Sequence, residues 1–492
     1  MSQKLFIIYS FMFIIGIIIA NVFSIHISWL VLLLFIPLFV LFSKNKKIIL
    51  FLLIIFSILA GYIRFIYSFP VINSNHIAFY NNIAADWSDM KDLHFRGVVN
   101  EVDKRVDHNK LTVKAEGIYV DNIWHNVNGL VLVKSSLYPE YFVGDELELD
   151  CKLIKPDKIE DFAYDDYLSR YDIYSLCYSP IVKYIGLADK YILKRKIVDF
   201  KDRVHQVIQK NIVEPEASIL SAMLLARRRS IPTDIVDNFS KAGVSHLLAI
   251  SGMHVSIISL LLVRVLTAFY LPKKLTYPIA LLILFMYILM IGMPASAIRA
   301  GMMGSVLLIA DYFGRVNKSY FALILVAIIT LMFNPKLLVY DIGWQLSFLA
   351  VLSLVLFSDD VGKLFKRLPV LFGIKAILQA TFAAQILTLP WIVFKFNQAS
   401  LVFPIANILL LPTLPLLMCL SIVGIILNLL IPTISVPLFW IVYGMLNKQI
   451  EIVNWLGSLP LAAIELPKIN WLYIFFIYSC IFFIKFRSNE KV

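Results

Sequence analysis

Residues 246–254 read His246-Leu-Leu-Ala-Ile-Ser-Gly-Met-His254 and open an apolar run that continues to about Leu271. Two imidazoles, a hydroxyl and a glycine are costly inside a membrane helix, where polar groups line a bundle interior or a path through it. Three chemistries suit these residue types. A shared metal ion needs both histidines, but eight residues of continuous helix hold them about 12 Å apart. One ion is reachable only if the helix breaks at Gly252. A serine nucleophile at Ser251 would share a helix face with His254, three residues on. The third chemistry is hydrogen bonding, either to neighbouring helices or to the contents of a polar path.

Further along, Arg299 follows Gly292-Met-Pro294 in another apolar run. A guanidinium keeps its charge and grips phosphate in two-toothed fashion. The alternative is an interfacial arginine that snorkels outward. Asp341 is a partner for Arg299 or for Lys336. Gln345, Gln379, Gln385 and Asn407 are uncharged, so they suit a water-filled path that must not trap a polyanion. Each also suits interhelical hydrogen bonding. No Walker-type phosphate loop occurs, and neither a cofactor nor a metal site is expected.

The elements that position these residues follow from composition. Of 492 residues, 60% are hydrophobic and 16% charged, and the apolar residues fall in repeated runs. Runs of roughly 17–25 residues read as membrane helices. The fold class is a polytopic α-helical membrane protein of about 10–12 spans, carrying an inserted extracytoplasmic, OB-like small β-barrel. The first run, Leu5–Phe23, lacks a cleavage site and reads as a retained helix, not a signal peptide. Ser28–Phe42 and Ile48–Phe69 follow. Lys44, Lys46 and Lys47 place the loop between these two in the cytoplasm. Later basic loops at Lys273/Lys274, Arg315/Lys318 and Lys363/Lys366/Arg367 agree with that orientation. Lys485, Arg487 and Lys491 put the C-terminus inside. Residues 435–457 carry Lys448, Gln449 and Glu451 and read as an amphipathic surface helix. Four domains result: 1–69, three transmembrane helices; 70–180, the OB-like domain; 181–243, a basic helical connector; and 244–492, a multi-helix channel domain.

Within the outer segment, Phe95–Val102, Leu111–Val120, Val127–Val133 and Leu147–Leu153 alternate as strands do. Residues 160–240 read as mostly helical, with starts at Glu214-Pro-Glu and Pro232-Thr-Asp. Cys151 and Cys177 fall in this polar segment and can pair if it faces an oxidising exterior. The net charge of +12 has two readings: the positive-inside bias of membrane proteins, or a nucleic-acid partner. Residues 93–155 hold eight Lys/Arg against ten Asp/Glu, which argues against a strong DNA grip by the barrel. Most of Phe95, Tyr119, Trp124, Tyr138, Tyr141 and Phe142 are therefore assigned to core packing. Residues 183–229 hold eleven Lys/Arg against five Asp/Glu. Its densest cluster, Arg227-Arg228-Arg229, is the outer candidate for gathering phosphates. A salt-bridged helix surface, or attraction to anionic membrane lipid, is the alternative.

Several stretches resemble the ComEC family of bacterial inner-membrane DNA-uptake channels. They are Phe162–Tyr174, Pro215–Leu225, Phe239–Val255, Pro294–Ala300, Asn334-Pro with Tyr340–Val351, and Gln385–Pro390 with Asn407. They occur in the family's order along nearly the whole chain. The resemblance implies a multi-pass channel of the cytoplasmic membrane for single-stranded DNA in natural transformation. It also implies a separate DNA receptor outside and a separate ATP-driven motor inside. His246, Ser251, His254, Arg299, Asp341, Gln345, Gln385 and Asn407 become the candidates for the DNA path. Two departures stand out. Where the family tends to have Gly-Asp after Leu224-Leu225, this chain has Ala226-Arg-Arg-Arg229. The sequence also carries no His-x-His-x-Asp-His cluster of the family's metallo-β-lactamase-like domain, so nuclease activity is expected on another chain or not at all. Two rival readings remain. One is an intramembrane serine hydrolase centred on Ser251, since Ala249-Ile-Ser-Gly252 is faintly similar to the motif of such proteases. The other is a small-solute transporter. Oligomeric state is not legible.

Overall fold

Among the described residues, five helices are long and apolar enough to cross a membrane: Lys4–Phe23, Lys46–Ile66, Lys273–Met290, Ile342–Leu364 and Ile374–Phe396. Phe403–Leu410 and Leu414–Leu430 form a pair bent by 44°, a sixth if counted as one span. The break holds Pro412, and a proline has no N–H to continue the helix ladder. The other apolar runs of the expected 10–12 spans fold as shorter helices, among them Gly252–Ala268, Ser319–Phe333 and Trp471–Lys485. The computed structural model describes residues 3–23, 25, 29–42, 44–82, 92–105, 107–159, 162–314, 319–366 and 373–489. Ser28, Arg315, Lys318, Arg367 and Lys491, used above for span limits and orientation, lie outside those residues. The chain divides into two compact units, Met1–Asp199 with Ala327–Ile342, and Phe200–Val326 with Gly343–Val492.

In the first unit, α1 (Gln3–Phe23) and α3 (Lys46–Ile66) cross where a methyl group on Gly16 would strike the Ile58 carbonyl, and one on Gly61 the Phe13 carbonyl. Glycine is what lets the two backbones meet. The run between them is not one helix: it is a 3-10 turn, Trp29–Leu34, followed by the seven-residue α2, Phe35–Leu41. Pro37 explains the break. It is tolerated in the first turn of α2 but would remove a hydrogen bond from the interior of a continuous helix.

The same unit holds the sheet: β1 (Leu93–Lys104), β2 (Asn109–Val120), β3 (Ile123–Asn126), β4 (Leu130–Ser135), β5 (Asp145–Cys151), β6 (Leu153–Ile154), β7 (Ile173–Tyr178) and β8 (Ile181–Leu187). The order is β6-β7-β4-β2-β1-β5-β8, with β3 on β2. The sheet curls into a half-barrel, and β5 and β6, separated by Lys152 alone, form one run of chain that pairs with β1 through β5 and with β7 through β6. Alternation fills the core with Phe95, Leu111, Val113, Ile118, Val131, Val133, Leu147 and Leu149. Each such side chain contributes roughly 1.5–3 kcal/mol when fully buried. β7 and β8 correct the expected helical stretch. Their β-branched and aromatic residues favour strand, and β8 extends the sheet along β5. The helical connector therefore begins only with α5 (Ile192–Asn211). Cys151 on β5 and Cys177 on β7 are disulfide-bonded, with Cα atoms 6.0 Å apart.

The second unit is built around α6 (Glu216–Leu225), whose ten residues are all buried. Helix α17 (Pro432–Gly457) is not a surface helix. Phe439, Val442, Leu446, Val453 and Leu456 are buried in the same core, and Gln449 Nε2 donates to Thr413 Oγ1 at 2.7 Å. Lys448 and Glu451, which suggested a surface, simply pair on its exposed side.

Candidate functional site

In the second unit, α6 ends at Ala226, which caps it in the left-handed conformation at φ 61°. That backbone favours glycine, which accounts for glycine at this turn in the resembling family. Two of the next three arginines hold the turn. Arg227 pairs with Asp202 of α5, and Arg228 Nε donates to Leu248 O at 2.9 Å. Arg228 and Arg229 are exposed. Nearby, burial and the Arg227 charge hold the His205 pKa down at about 4, and its Nδ1 lies 3.0 Å from Ser221 Oγ.

The His246–His254 stretch is not one helix. A 3-10 turn, Ser245–Leu247, precedes α8 (Gly252–Ala268), and the break falls at Ser251, the N-cap. Its cap is reciprocal. The Ser251 side chain takes the first-turn backbone N–H of His254, and His254 Nδ1 takes the Ser251 N–H at 3.3 Å. This is a capping box with histidine in place of the usual glutamate or glutamine. Ser251 Oγ lies 2.9 Å from the same Nδ1. A ring nitrogen that accepts a backbone N–H leaves the ring proton on the other nitrogen. His254 is fully buried, and its Nε2 has no partner among the described residues. His246 is exposed. The turn is pinned by Ser296, whose hydroxyl donates to Ile250 O at 2.5 Å. His246 and His254 supply two imidazoles, and no third metal-type ligand joins them among the described residues.

Arg299 lies on α10 (Ala295–Tyr312), 1% exposed, and does not snorkel. Its Nη2 donates to Gly343 O at 2.8 Å, and its guanidinium stands 5.7 Å from the Phe348 ring, both on α13 (Ile342–Leu364). These contacts tie α10 to α13. Gln345 Oε1 accepts from Trp391 Nε1 at 2.9 Å, across to α14 (Ile374–Phe396). Gln385 Oε1 accepts from Thr388 Oγ1 at 3.3 Å within α14. Asn407, on α15 (Phe403–Leu410), is 5% exposed and its Oδ1 has no partner among the described residues.

In the first unit, Asp341 lies at the start of α13 and is buried. It meets Arg170 Nη1 at 2.9 Å, both side chains buried, and Arg170 also stacks 4.1 Å from the Tyr167 ring. Lys336 is 1% exposed. Its ammonium donates to Ser169 O (3.0 Å), Asp172 Oδ1 (2.7 Å) and Tyr174 OH (2.8 Å). Asn334 Nδ2 donates to Arg170 O at 2.9 Å. Reading the sequence missed Arg170. The available signal was a lone arginine among aromatics in Tyr167-Leu-Ser-Arg-Tyr171. At the end of α3, Arg64 caps the C-terminus of α11 (Ser319–Phe333), donating to Met332 O and Phe333 O at 2.7 and 2.6 Å.

Three cations of the basic stretch pair with carboxylates of the sheet. Lys183 pairs with Glu148, Lys190 with Glu116 and Arg195 with Asp145. The sheet's excess of carboxylates and the stretch's excess of cations answer one another. Core packing holds for Phe95 and Tyr141, but Tyr119, Trp124, Tyr138 and Phe142 are 36–76% exposed.

The competence protein family model matches residues 223–490. ComE operon protein 3 of Bacillus subtilis (strain 168) is 28% identical over 251 residues, covering 51% of this chain and 31% of that protein. The chain thus spans about a third of the length of the curated relative it matches. No solved structure matches.

Proposed function

The chain belongs to the competence protein family, and from that premise we propose that it conducts single-stranded DNA across the bacterial cytoplasmic membrane during natural transformation. Family membership ties it to competence, and its long apolar helices fit a multi-pass membrane protein. The observation that carries the finer reading is the capped break at Ser251. It sets an exposed imidazole, His246, beside an unanswered buried donor, His254 Nε2, at the edge of an otherwise apolar core. Polar groups at such depth mark the path of a polar cargo. In this reading the half-barrel faces outward. A receptor outside delivers the strand, an ATP-driven motor inside pulls it, and any nuclease is a separate chain. The chain itself is a conduit and not an enzyme.

One contact favours the rival hydrolase, the 2.9 Å approach of Ser251 Oγ to His254 Nδ1. The same nitrogen serves the helix cap, and no third group orients the ring through Nε2 among the described residues. A nucleophile's base is normally held by such a group. Replacing Ser251 with alanine separates the two readings: a conduit keeps partial DNA uptake, whereas a hydrolase loses its activity entirely.

A further inference from the structure

We propose that the N-terminus of α8 is a phosphate-binding site that grips the backbone of the translocating strand, with Arg228 and His254 as its side-chain ligands. The inference rests on the conduit reading and names the atoms by which the conduit holds its cargo.

Helix α8 is 17 residues long and its first residue, Gly252, is exposed. The first backbone N–H groups of a helix have no partner within it and carry the positive end of its dipole, which suits an anion. A side chain at Gly252 would meet nothing nearer than Ala300 Cβ at 3.8 Å, so the backbone is open to close approach. The independent observation is His254, in the first turn of the same helix. Its ring is fully buried, Nδ1 accepts the Ser251 N–H, and the Nε2 proton it must then carry has no acceptor among the described residues. A buried donor without an acceptor is costly, and a phosphate oxygen at the helix start answers it.

Arg228 completes the site. Its Nε bond to Leu248 O fixes the guanidinium while leaving both Nη groups for a two-toothed grip. The bond to Leu248 O brings Arg228 to the turn that ends at the Ser251 cap, three residues on. The Ser296 bond to Ile250 O holds the backbone between these residues. Arg227 is bound to Asp202 and is not a ligand.

The test uses the full chain in nanodiscs of neutral lipid and a fluorescent single-stranded oligonucleotide, titrated over a range of salt. Each phosphate neutralised on a single strand contributes about 0.7 to the slope of log K against log salt. Arg228→Ala is expected to weaken binding roughly tenfold and to lower that slope by about 0.7. Arg228→Lys keeps the charge, so it should keep the slope and lose only part of the affinity. His254→Gln is expected to weaken binding with the slope intact. An unchanged slope in Arg228→Ala overturns the site. Should that variant fail to fold, Arg228→Lys and His254→Gln binding at wild-type affinity overturn it as well. Nanodiscs with phosphatidylglycerol form the second arm. If that lipid displaces the strand from wild type but not from Arg228→Ala, the phosphate belongs to a lipid headgroup, and the assignment to DNA is overturned. Wild type that binds no strand at all overturns the conduit reading beneath the site.

Discussion

Two polar clusters in this chain spend their donors in opposite ways. Around Lys336, one buried ammonium meets a carbonyl, a carboxylate and a phenol, and Arg170 beside it meets Asp341. Around Ser251, the cap is complete, yet His254 Nε2 is unanswered, His246 is accessible and Arg228 is exposed. A buried ammonium with three partners fixes one arrangement. An unsaturated donor beside an open helix start keeps capacity for a ligand. The first cluster is therefore an anchor of its unit, and the second is where a polar cargo is held.

The comparison breaks first if the anchor can be dispensed with. Arg170→Met takes a partner from the buried Asp341, and losing one partner of a buried pair costs about 3–5 kcal/mol. The expected outcome is a sharply lowered melting temperature in detergent. A variant that melts like wild type removes the anchor's role. Reducing the Cys151–Cys177 bond should cost about 2–4 kcal/mol, because it frees a loop of 26 residues in the unfolded chain. The check is denaturant unfolding with and without reductant.

Effects at the second cluster should be smaller in stability and larger in function. Ser251→Ala removes an N-cap worth about 1 kcal/mol and should leave partial uptake. A full loss of uptake at normal protein abundance favours the hydrolase. His205 supplies a pH test. Its folded pKa of about 4 lies below the ordinary histidine value of 6.5. The unfolded chain therefore takes up the proton first, and this contribution to stability, complete above about pH 6.5, is lost as pH falls toward 4. His205→Gln should flatten the melting temperature across that window. The smallest effect is Ala226→Gly. Relieving the left-handed cap should raise stability by up to about 1 kcal/mol, seen as a small rise in melting temperature.

The legible parts of the fold were those with a local signature. Alternation marked β1, β2, β4 and β5, and apolar length marked α1, α3, α13 and α14. The run 28–42 was not legible as two pieces, the 3-10 turn Trp29–Leu34 and α2, because its apolar length hid the effect of Pro37. β7 and β8 were hidden because they follow the short α4 (Tyr164–Ser169) and owe their state to pairing with β4 and β5, far off in sequence. Helix α17 misled because Lys448 and Glu451 occupy only its exposed side. At the candidate site, residue types were legible and partners were not. His246, Ser251 and His254 stand out as polar residues in an apolar run. That the chain breaks there follows from a serine N-cap with histidine three residues on, a variant of the capping box. Asp341 was visible as a buried-charge problem, but its partner Arg170 lies 171 residues earlier in the chain. Such pairings are set by tertiary structure alone.

The most direct test of the conduit is internalised, nuclease-protected labelled DNA in a naturally transformable bacterium lacking its own copy of this gene. It is complemented with wild type, Arg228→Ala or Ser251→Ala at matched abundance. The account predicts DNA held outside in the deletion strain, full uptake with wild type, and reduced but measurable uptake with either variant. Uptake unchanged by the deletion would contradict it.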